Sequence, residues 1–272
     1  MNTYFIATMH PEYADRKFPE GSTVIDPWRY IPDQPGVTVR RLGQNRPAMI
    51  SVLLPSRGRP DKLERMLTSL WATVAHRRFV EAIVYLDDDD QTRPEYMTIE
   101  QPVEFITGPR KLLSENWNEC AFTANGEILM HAGDDITFDT PGWDTMVRQA
   151  FDQYPDKILF AHGDDLGPHG ATFGTHGFVH RRWVQTVGYF LPPLFSSDWN
   201  DVWLNELADN LGRKVLLPFV TEHHHYIFGK AERDRTHAER EERGAADDVV
   251  GLYQRTASER QRDTDKLKAV LA

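Results

Sequence analysis

The sequence is poor in cysteine and has no long apolar run. Cys120 is the single cysteine among 272 residues, which excludes an internal disulfide and fits a reducing compartment. No stretch approaches the roughly 18 consecutive apolar residues of a membrane span. The first twenty residues have neither a basic start nor a continuous apolar core, which argues against a secretory signal. We therefore expect a cytoplasmic protein without a membrane partner.

An excess of positive charge is also missing. The chain has 31 basic and 41 acidic residues, which gives a net charge of −10 with neutral histidine. A surface that attracts nucleic acid broadly is therefore not expected, although a local basic groove stays open. The excess of carboxylates suits a protein that concentrates a divalent cation.

The organisation of the chain changes near residue 47. Residues 1–46 are rich in proline and turn formers, which predicts an N-terminal arm with little regular structure. Apolar runs beyond it predict buried strands, at 49–54, 80–86, 103–106, 128–132 and 157–161. Apolar spacing and capping residues predict helices between and after them, from 61, from the cap Ser114 to about 125, and at 143–154, 181–187 and 201–211. This alternation favours an α/β fold with a mostly parallel sheet.

Paired carboxylates follow one of these strands. Asp134 and Asp135 come directly after the apolar run 128–132. An isolated Asp-Asp is more often a turn or a helix cap. Here the pair stands where an open α/β sheet places its ligand site. Carboxylate oxygens suit a divalent cation, and that cation suits a diphosphate.

A second acidic group ends the strand 80–86. Asp87 to Asp90 are four adjacent carboxylates, which form either a solvated turn or a set of hydrogen-bond acceptors for a base and a ribose. Ser56, Arg57 and Arg59 follow the neighbouring strand and are expected at the same edge of the sheet. Two arginines separated by glycine can donate charge-assisted hydrogen bonds to phosphate or a base.

Three consecutive histidines stand late in the chain. On an extended segment His223 and His225 share one face and His224 takes the other. Such a cluster is more often a set of surface histidines, but a neutral imidazole is also a suitable third ligand for Mn²⁺ beside two carboxylates.

Asp198 and Asp201 stand at the start of the helix 201–211. Either one can be an N-cap only. An acid at a helix N-terminus is stabilised in its ionised form, and a carboxylate held in this way can act as a general base towards a hydroxyl.

The order of these features resembles the inverting GT-A glycosyltransferases of the family-2 type, as bacteria and phages encode them. The resemblance covers roughly residues 48–230 and is carried by the following segments: Ser56-Arg57-Gly58-Arg59-Pro60, the acidic turn after 80–86, Ser114-Glu115-Asn116-Trp117-Asn118 and Gly133-Asp134-Asp135. It implies a Rossmann-like GT-A domain over 47–228, with a nucleotide-sugar half at 47–139 and an acceptor half at 140–228. A charged helical tail follows at 229–272.

The resemblance also implies roles for individual residues. Asp135 takes the place of the retained metal ligand of an Asp-x-Asp motif whose first aspartate is replaced by Gly133. His225 or His223 takes the place of the late metal-binding histidine. In that family the catalytic base typically precedes a helix that ends in glycine some eleven residues later. Asp201 stands eleven residues before Gly212 and Asp198 stands fourteen before it, so Asp201 takes the place of the base. The implied nucleotide-binding residues are Ser56, Arg57, Arg59, Asp87, Asp88, Lys111, Asn116 and Asp134.

The function implied is the Mn²⁺- or Mg²⁺-dependent transfer of a hexose-like sugar from a UDP-sugar to an acceptor hydroxyl. One candidate acceptor is a hydroxymethylated base in phage DNA, with Arg181, Arg182, Arg213, Lys214 and the basic residues of 230–243 as the groove. Two alternatives stay open, a nucleotidyltransferase and a non-catalytic nucleotide- or glycan-binding module. The C-terminal tail is a candidate surface for a dimer.

Overall fold

The computed structural model describes residues 2–7, 15–27, 31–41 and 47–271. It divides into two compact units, Met1–Pro47 and Ala48–Ala272. Among the described residues, no helix combines the length and the apolar character that crossing a membrane requires.

The N-terminal unit contains a small parallel sheet. Its strands are β1 (Thr3–Phe5), β2 (Thr23–Asp26) and β3 (Thr38–Arg41), in that order across the sheet. A small apolar cluster of Ile6, Phe18, Val24 and Ile31 accompanies it. The prediction of little regular structure in 1–46 is therefore wrong for the described part. β-Branched residues form strands even in a segment rich in prolines.

The larger unit is built on an eight-stranded sheet. Its strands are β4 (Ile50–Ser56), β5 (Val80–Asp87), β6 (Glu104–Gly108), β7 (Ile128–His131), β8 (Ile136–Phe138), β9 (Phe160–Asp164), β10 (Gly177–His180) and β11 (Lys214–His223). The order across the sheet is β6-β5-β4-β7-β10-β9-β11-β8. The pairings among β6, β5, β4 and β7 and between β9 and β11 are parallel. β10 is antiparallel to both of its neighbours, and β8 is antiparallel to β11.

Helices cover both faces of this sheet. They are α1 (Pro60–Thr73), α2 (Arg93–Tyr96), α3 (Leu113–Thr123), α4 (Trp143–Asp152), α5 (Arg181–Val187), α6 (Asn200–Leu211), α7 (Arg235–Ala246), α8 (Val249–Arg255) and α9 (Ala257–Lys268). Val52 packs in an apolar cluster with residues of α1 and α4, whereas Leu53 packs in a second cluster with residues of α3 and α6. The central strands are buried on both faces, which explains their continuous apolar runs. The α/β class and the helical C-terminal segment are confirmed.

Two boundaries and one strand illustrate where the structure departs from the sequence predictions. β9 begins at Phe160 and not at 157, because Lys157 has a φ of 60° and cannot belong to a strand. α3 begins before Ser114, whose hydroxyl donates to the backbone carbonyl of Phe195 and does not cap the helix. The short strand β10 was not predicted. Gly177 within it permits close packing, since a Cβ there would lie 2.5 Å from the Phe160 ring.

The C-terminal helices pack on the same unit. Leu267 of α9 is buried in the cluster that contains Trp203 and Leu207 of α6, and Leu252 and Val270 pack against it. The apolar positions of the tail are thus used within the chain.

A buried ion pair on α4 generates a prediction of stability. Asp144 is fully buried and accepts from Ala75 N, His76 N and Arg148 Nη1, at 2.8, 3.1 and 2.6 Å. Arg148→Met leaves that carboxylate without its cation, so we expect a loss of about 3–5 kcal/mol in the free energy of unfolding. Urea denaturation measures it.

Arg182→Met is the matched control, because Arg182 is exposed on the surface. An equal loss of stability in the two variants would contradict the role assigned to Arg148.

Candidate active site

A pocket of about 250 Å³ lies where the parallel strands end. Ser56 ends β4, Asp87 ends β5, and the pair Asp134-Asp135 follows β7, and all of them line the pocket. The carboxyl ends of neighbouring parallel strands meet at one edge, which is where such sheets bind ligands.

Most of the residues selected from the sequence line this pocket. They are Ser56, Arg57, Arg59, Asp87, Asn116, Asp134, Asp135, Asp198, Asp201, His223 and His225. Asp88 and Lys111 do not line it: Asp88 is exposed, and the Lys111 ammonium pairs with Glu119 at 2.5 Å. Lys111 is therefore neutralised by an acid of the helix that follows it, and its charge is not directed into the pocket.

Two arginines of the loop after β4 are held by carboxylates. Arg59 Nη1 donates to Asp134 Oδ1 at 3.2 Å, while its Nη2 and Nε donate to Asp234 at 2.7 and 2.9 Å. Arg57 Nη1 donates to Asp87 at 3.1 Å. These guanidinium groups orient the acids of the pocket, and most of their N–H groups are engaged by carboxylates.

The two aspartates after β7 have different surroundings. Asp134 accepts from Ser56 Oγ at 2.7 Å and from Arg59, so its oxygens are occupied. Burial raises the pKa of Asp134, with Arg59 opposing and Asp135 adding to the increase. Burial also acts to raise the pKa of Asp135, but the contact with His223 and the charges of His176 and Arg59 hold it well below its ordinary value. Of the two carboxyls, Asp135 therefore has the lower pKa and the greater tendency to be ionised.

Asp135 is shared by two groups that have the geometry of metal ligands. One consists of Asp135, His176 and His223, and the other of Asp135, His225 and His237, with ligand atoms within 4.8 Å of one another in each. His176 and His237 were not selected from the sequence. No ligand spacing marks them, because His176 stands before the unpredicted strand β10 and His237 lies in the first turn of α7.

Gly133 leaves room for one of these imidazoles. A Cβ at position 133 would lie 2.9 Å from Asp135 Oδ1 and 3.1 Å from His176 Nε2. His176 thus takes the space next to Asp135 into which a side chain at position 133 would extend.

The aspartate and histidine side chains of these two groups suit a divalent cation. His237 Nδ1 lies 2.8 Å from Asp234 Oδ1, and its Nε2 is buried with no hydrogen-bond partner among the described residues. His237 Nδ1 also accepts from Asp234 N at 3.1 Å, and this capping contact fixes the orientation of the ring. Burial lowers the pKa of both His225 and His237 to about 4, so both are neutral near pH 7, which is the state that binds metals.

The two aspartates near α6 also differ. Asp198 is exposed and pairs with Arg240 at 2.9 Å. Asp201 lies in the first turn of α6 and accepts from Val202 N at 2.9 Å. Burial of its carboxyl, with the nearby Asp198 charge, raises the pKa of Asp201 to about 6. An acid with this pKa is ionised near neutral pH and is a better proton acceptor than an ordinary aspartate.

Several solved structures share this fold. The mannosyltransferase PcManGT from Pyrobaculum calidifontis, described in complex with GDP-Man and Mn²⁺, matches with a TM-score of 0.55 at 12% identity, over 83% of this chain and 74% of that chain. GalNAc-T7, described with UDP, GalNAc and Mn²⁺, matches with a TM-score of 0.52 at 13% identity, over 67% and 45%. TarS of S. aureus matches with a TM-score of 0.50 at 11% identity, over 65% and 37%.

The chain has a GT-A fold. The resemblance predicted from the sequence is confirmed at this level, and at these identities the likeness describes the fold alone.

One curated relative has a similar sequence. O-antigen biosynthesis protein RfbC of Myxococcus xanthus is 30% identical over 175 residues, which are 57% of this chain and 13% of that protein. The chain therefore spans a small part of that relative's length. No protein-family model matches the sequence.

Proposed function

We propose that the chain is an inverting glycosyltransferase that moves a sugar from a UDP-sugar to an acceptor hydroxyl. The observation that carries the proposal is the presence, in one pocket of a GT-A fold, of an acid with a raised pKa, Asp201, and of the Asp135–histidine groups. Structures of the same fold are described with UDP-GlcNAc, with GDP-Man and Mn²⁺, and with UDP and Mn²⁺, which supports this class of donor.

The nucleoside is proposed to bind between β4, β5 and α3. Asp87 Oδ1 and Asn116 Oδ1 are buried and have no hydrogen-bond partner among the described residues. Such acceptors are costly when they are left unpaired, so they suit the N–H of a uracil and the hydroxyls of a ribose. Arg57, which orients Asp87, belongs to the same subsite.

A divalent cation is proposed to bind at Asp135, with ligands from His223 and His225 and from His176 and His237. The imidazole-rich set suits Mn²⁺ better than Mg²⁺, which prefers oxygen ligands. Bound there, the cation would neutralise charge on the departing diphosphate.

The proton chemistry is assigned to Asp201. The acceptor oxygen attacks the anomeric carbon, the hydroxyl proton passes to the Asp201 carboxylate, and the bond between that carbon and the diphosphate oxygen breaks. UDP leaves with the bonding electrons, and a single displacement inverts the configuration. The pKa of Asp198, the other candidate base, is also raised by burial, but its carboxylate is paired with Arg240 at 2.9 Å, which makes it less suited to accept a proton than Asp201.

The acceptor is proposed to be a saccharide hydroxyl, as the relative's name in O-antigen biosynthesis suggests. Several of the basic residues expected to form a DNA groove are engaged within the chain. Arg181 donates to the backbone carbonyls of residues 121, 124 and 126, Arg213 pairs with an aspartate at 3.0 Å, and Lys230 pairs with a glutamate at 2.7 Å. A groove that binds phosphates needs cations that are not already paired.

A transfer assay tests the acceptor. Radiolabelled UDP-glucose, UDP-galactose and UDP-GlcNAc are incubated with a panel of oligosaccharides and with DNA that contains or lacks hydroxymethylated bases. We expect label in at least one saccharide and none in either DNA. Label in the modified DNA alone would overturn the saccharide proposal and support the phage-DNA acceptor.

The pH dependence tests Asp201. A base must be ionised, so kcat/KM for UDP-sugar turnover should fall as pH decreases through about 6 and reach a plateau above it. Asp201→Asn should lower kcat by about 10²- to 10⁴-fold and leave UDP binding unchanged, because asparagine keeps the shape and accepts no proton.

Asp198→Asn is the matched control and should retain most of the activity. Full activity in Asp201→Asn would favour a nucleotidyltransferase, which needs no base at this position. The absence of turnover in the wild type with any donor would favour the non-catalytic binding module.

Calorimetric titration with Mn²⁺, with and without UDP, tests the cation site directly. We expect Asp135→Asn to abolish measurable binding and His176→Ala to weaken it at least about tenfold, since both would lose a ligand. His169→Ala removes an exposed histidine and should have no effect. Unchanged affinity in His176→Ala, with loss in Asp135→Asn, would assign the cation to His225 and His237.

A further inference from the structure

We propose that α7 forms the phosphate-binding wall of the pocket, with Arg243 and Arg240 binding the diphosphate of the nucleotide sugar. The inference rests on the proposed function, because the ligand is the donor of that reaction. It gives the C-terminal segment a role in substrate binding.

The first turn of α7 is fixed to the loop that follows β4. Asp234, the N-cap, accepts from Arg59 Nη2 at 2.7 Å and from Lys62 Nζ at 2.6 Å. Thr236 Oγ1 donates to the backbone carbonyl of Arg57 at 2.8 Å. These contacts hold the helix beside the strand ends that carry the predicted nucleotide-binding residues.

One face of α7 lines the pocket. Thr236, His237, Arg240 and Arg243 all belong to its lining, at the spacing of three and four residues that places side chains on one side of a helix. Arg235 lies on the other side, where its side chain is 89% exposed and pairs with Glu239. The helix thus has a pocket face that differs from its solvent face.

Arg243 is a cation without an acid to neutralise it. Its Nη2 donates to the backbone carbonyl of Lys111 at 2.8 Å, and no carboxylate of the described residues lies within ion-pair distance. Burial and the nearby charge of Arg110 lower the pKa of Arg243 from its ordinary value. A half-buried guanidinium beside a second cation is favourable when an anion is bound between them.

Arg240 provides a second donor nearer the proposed cation site. Its Nη1 pairs with Asp198, while its Nε is buried with no partner among the described residues. His237, one turn before Arg240 on the same face of α7, has its ring centroid 5.0 Å from that of His225. Arg243 donates to the carbonyl of Lys111, and the adjacent Arg110 has its Nε 3.8 Å from Asp87 Oδ2.

The two arginines therefore lie along the interval between the proposed nucleoside subsite and the proposed cation subsite. Arg243 lies towards Asp87 of the nucleoside subsite, and Arg240 lies towards His225 of the cation subsite. Three residues of helix separate them by about 4.5 Å along the axis. A diphosphate joins the nucleoside to the sugar across this interval, so both guanidinium groups can donate to its oxygens.

Calorimetric binding of UDP, GDP and uridine to the full chain tests the inference. We expect Arg243→Gln and Arg240→Gln each to weaken binding of the nucleoside diphosphate by roughly 10- to 100-fold, because each loses charge-assisted hydrogen bonds. Uridine affinity should change less than about twofold, since it has no phosphate. Arg243→Lys, which keeps the charge and loses the planar fork, should be intermediate.

Arg235→Gln is the matched control, with the same change of charge on the solvent face of the same helix. Unchanged diphosphate affinity in Arg243→Gln and Arg240→Gln would overturn the inference and leave the proposed function in place. Failure of the wild type to bind UDP or GDP would overturn the proposed function as well. Circular dichroism verifies folding, and Arg240→Gln provides the test if Arg243→Gln does not fold.

Discussion

The guanidinium of Arg59 holds together three segments that are far apart in the sequence. It belongs to the loop after β4, and it donates to Asp134 after β7 and to Asp234 at the start of α7. Asp134 is buried and would be costly to bury without a cation, while Asp234 is partly exposed and ties α7 to the same guanidinium. The position of Asp135 next to Asp134 and the position of α7 over the pocket both depend on this contact.

The electrostatics of the pocket follow from that arrangement. Arginines neutralise the acids that shape the walls, which leaves Asp135 as an ionised acid surrounded by buried imidazoles. Burial keeps His225 and His237 neutral, so the centre of the pocket has ring nitrogens that can bind a cation and has no excess of positive charge. Asp201 is the contrasting case, because its burial is not offset by a nearby cation and its pKa increases. One pocket therefore contains acids with opposite tendencies to hold a proton.

The sequence was informative where local pattern determines structure. Apolar runs identified the parallel strands, and the residues that end them, such as Ser56, Asp87 and Asp135, proved to be neighbours. His176, His237 and Arg243 could not be found in this way, because contacts between distant segments bring them into the pocket. His176 depends on β10, a four-residue antiparallel strand inserted between β7 and β9. Lys111 was predicted to lie near the pocket from its position alone, but it pairs with Glu119 of the helix that follows it, α3. The small N-terminal sheet was not predicted, because its β-branched runs are short and lie among prolines.

The packing at Gly133 couples two positions of the pocket during sequence divergence. A Cβ there would lie 3.1 Å from His176 Nε2, so a side chain at 133 and the imidazole of 176 compete for the same volume. An aspartate or glutamate at position 133 has room only if residue 176 is smaller than histidine. Conversely, if residue 176 has no imidazole, a side chain at position 133 has to supply the missing metal-ligating atom. The two positions are thus expected to covary among relatives, although 43 residues of sequence separate them.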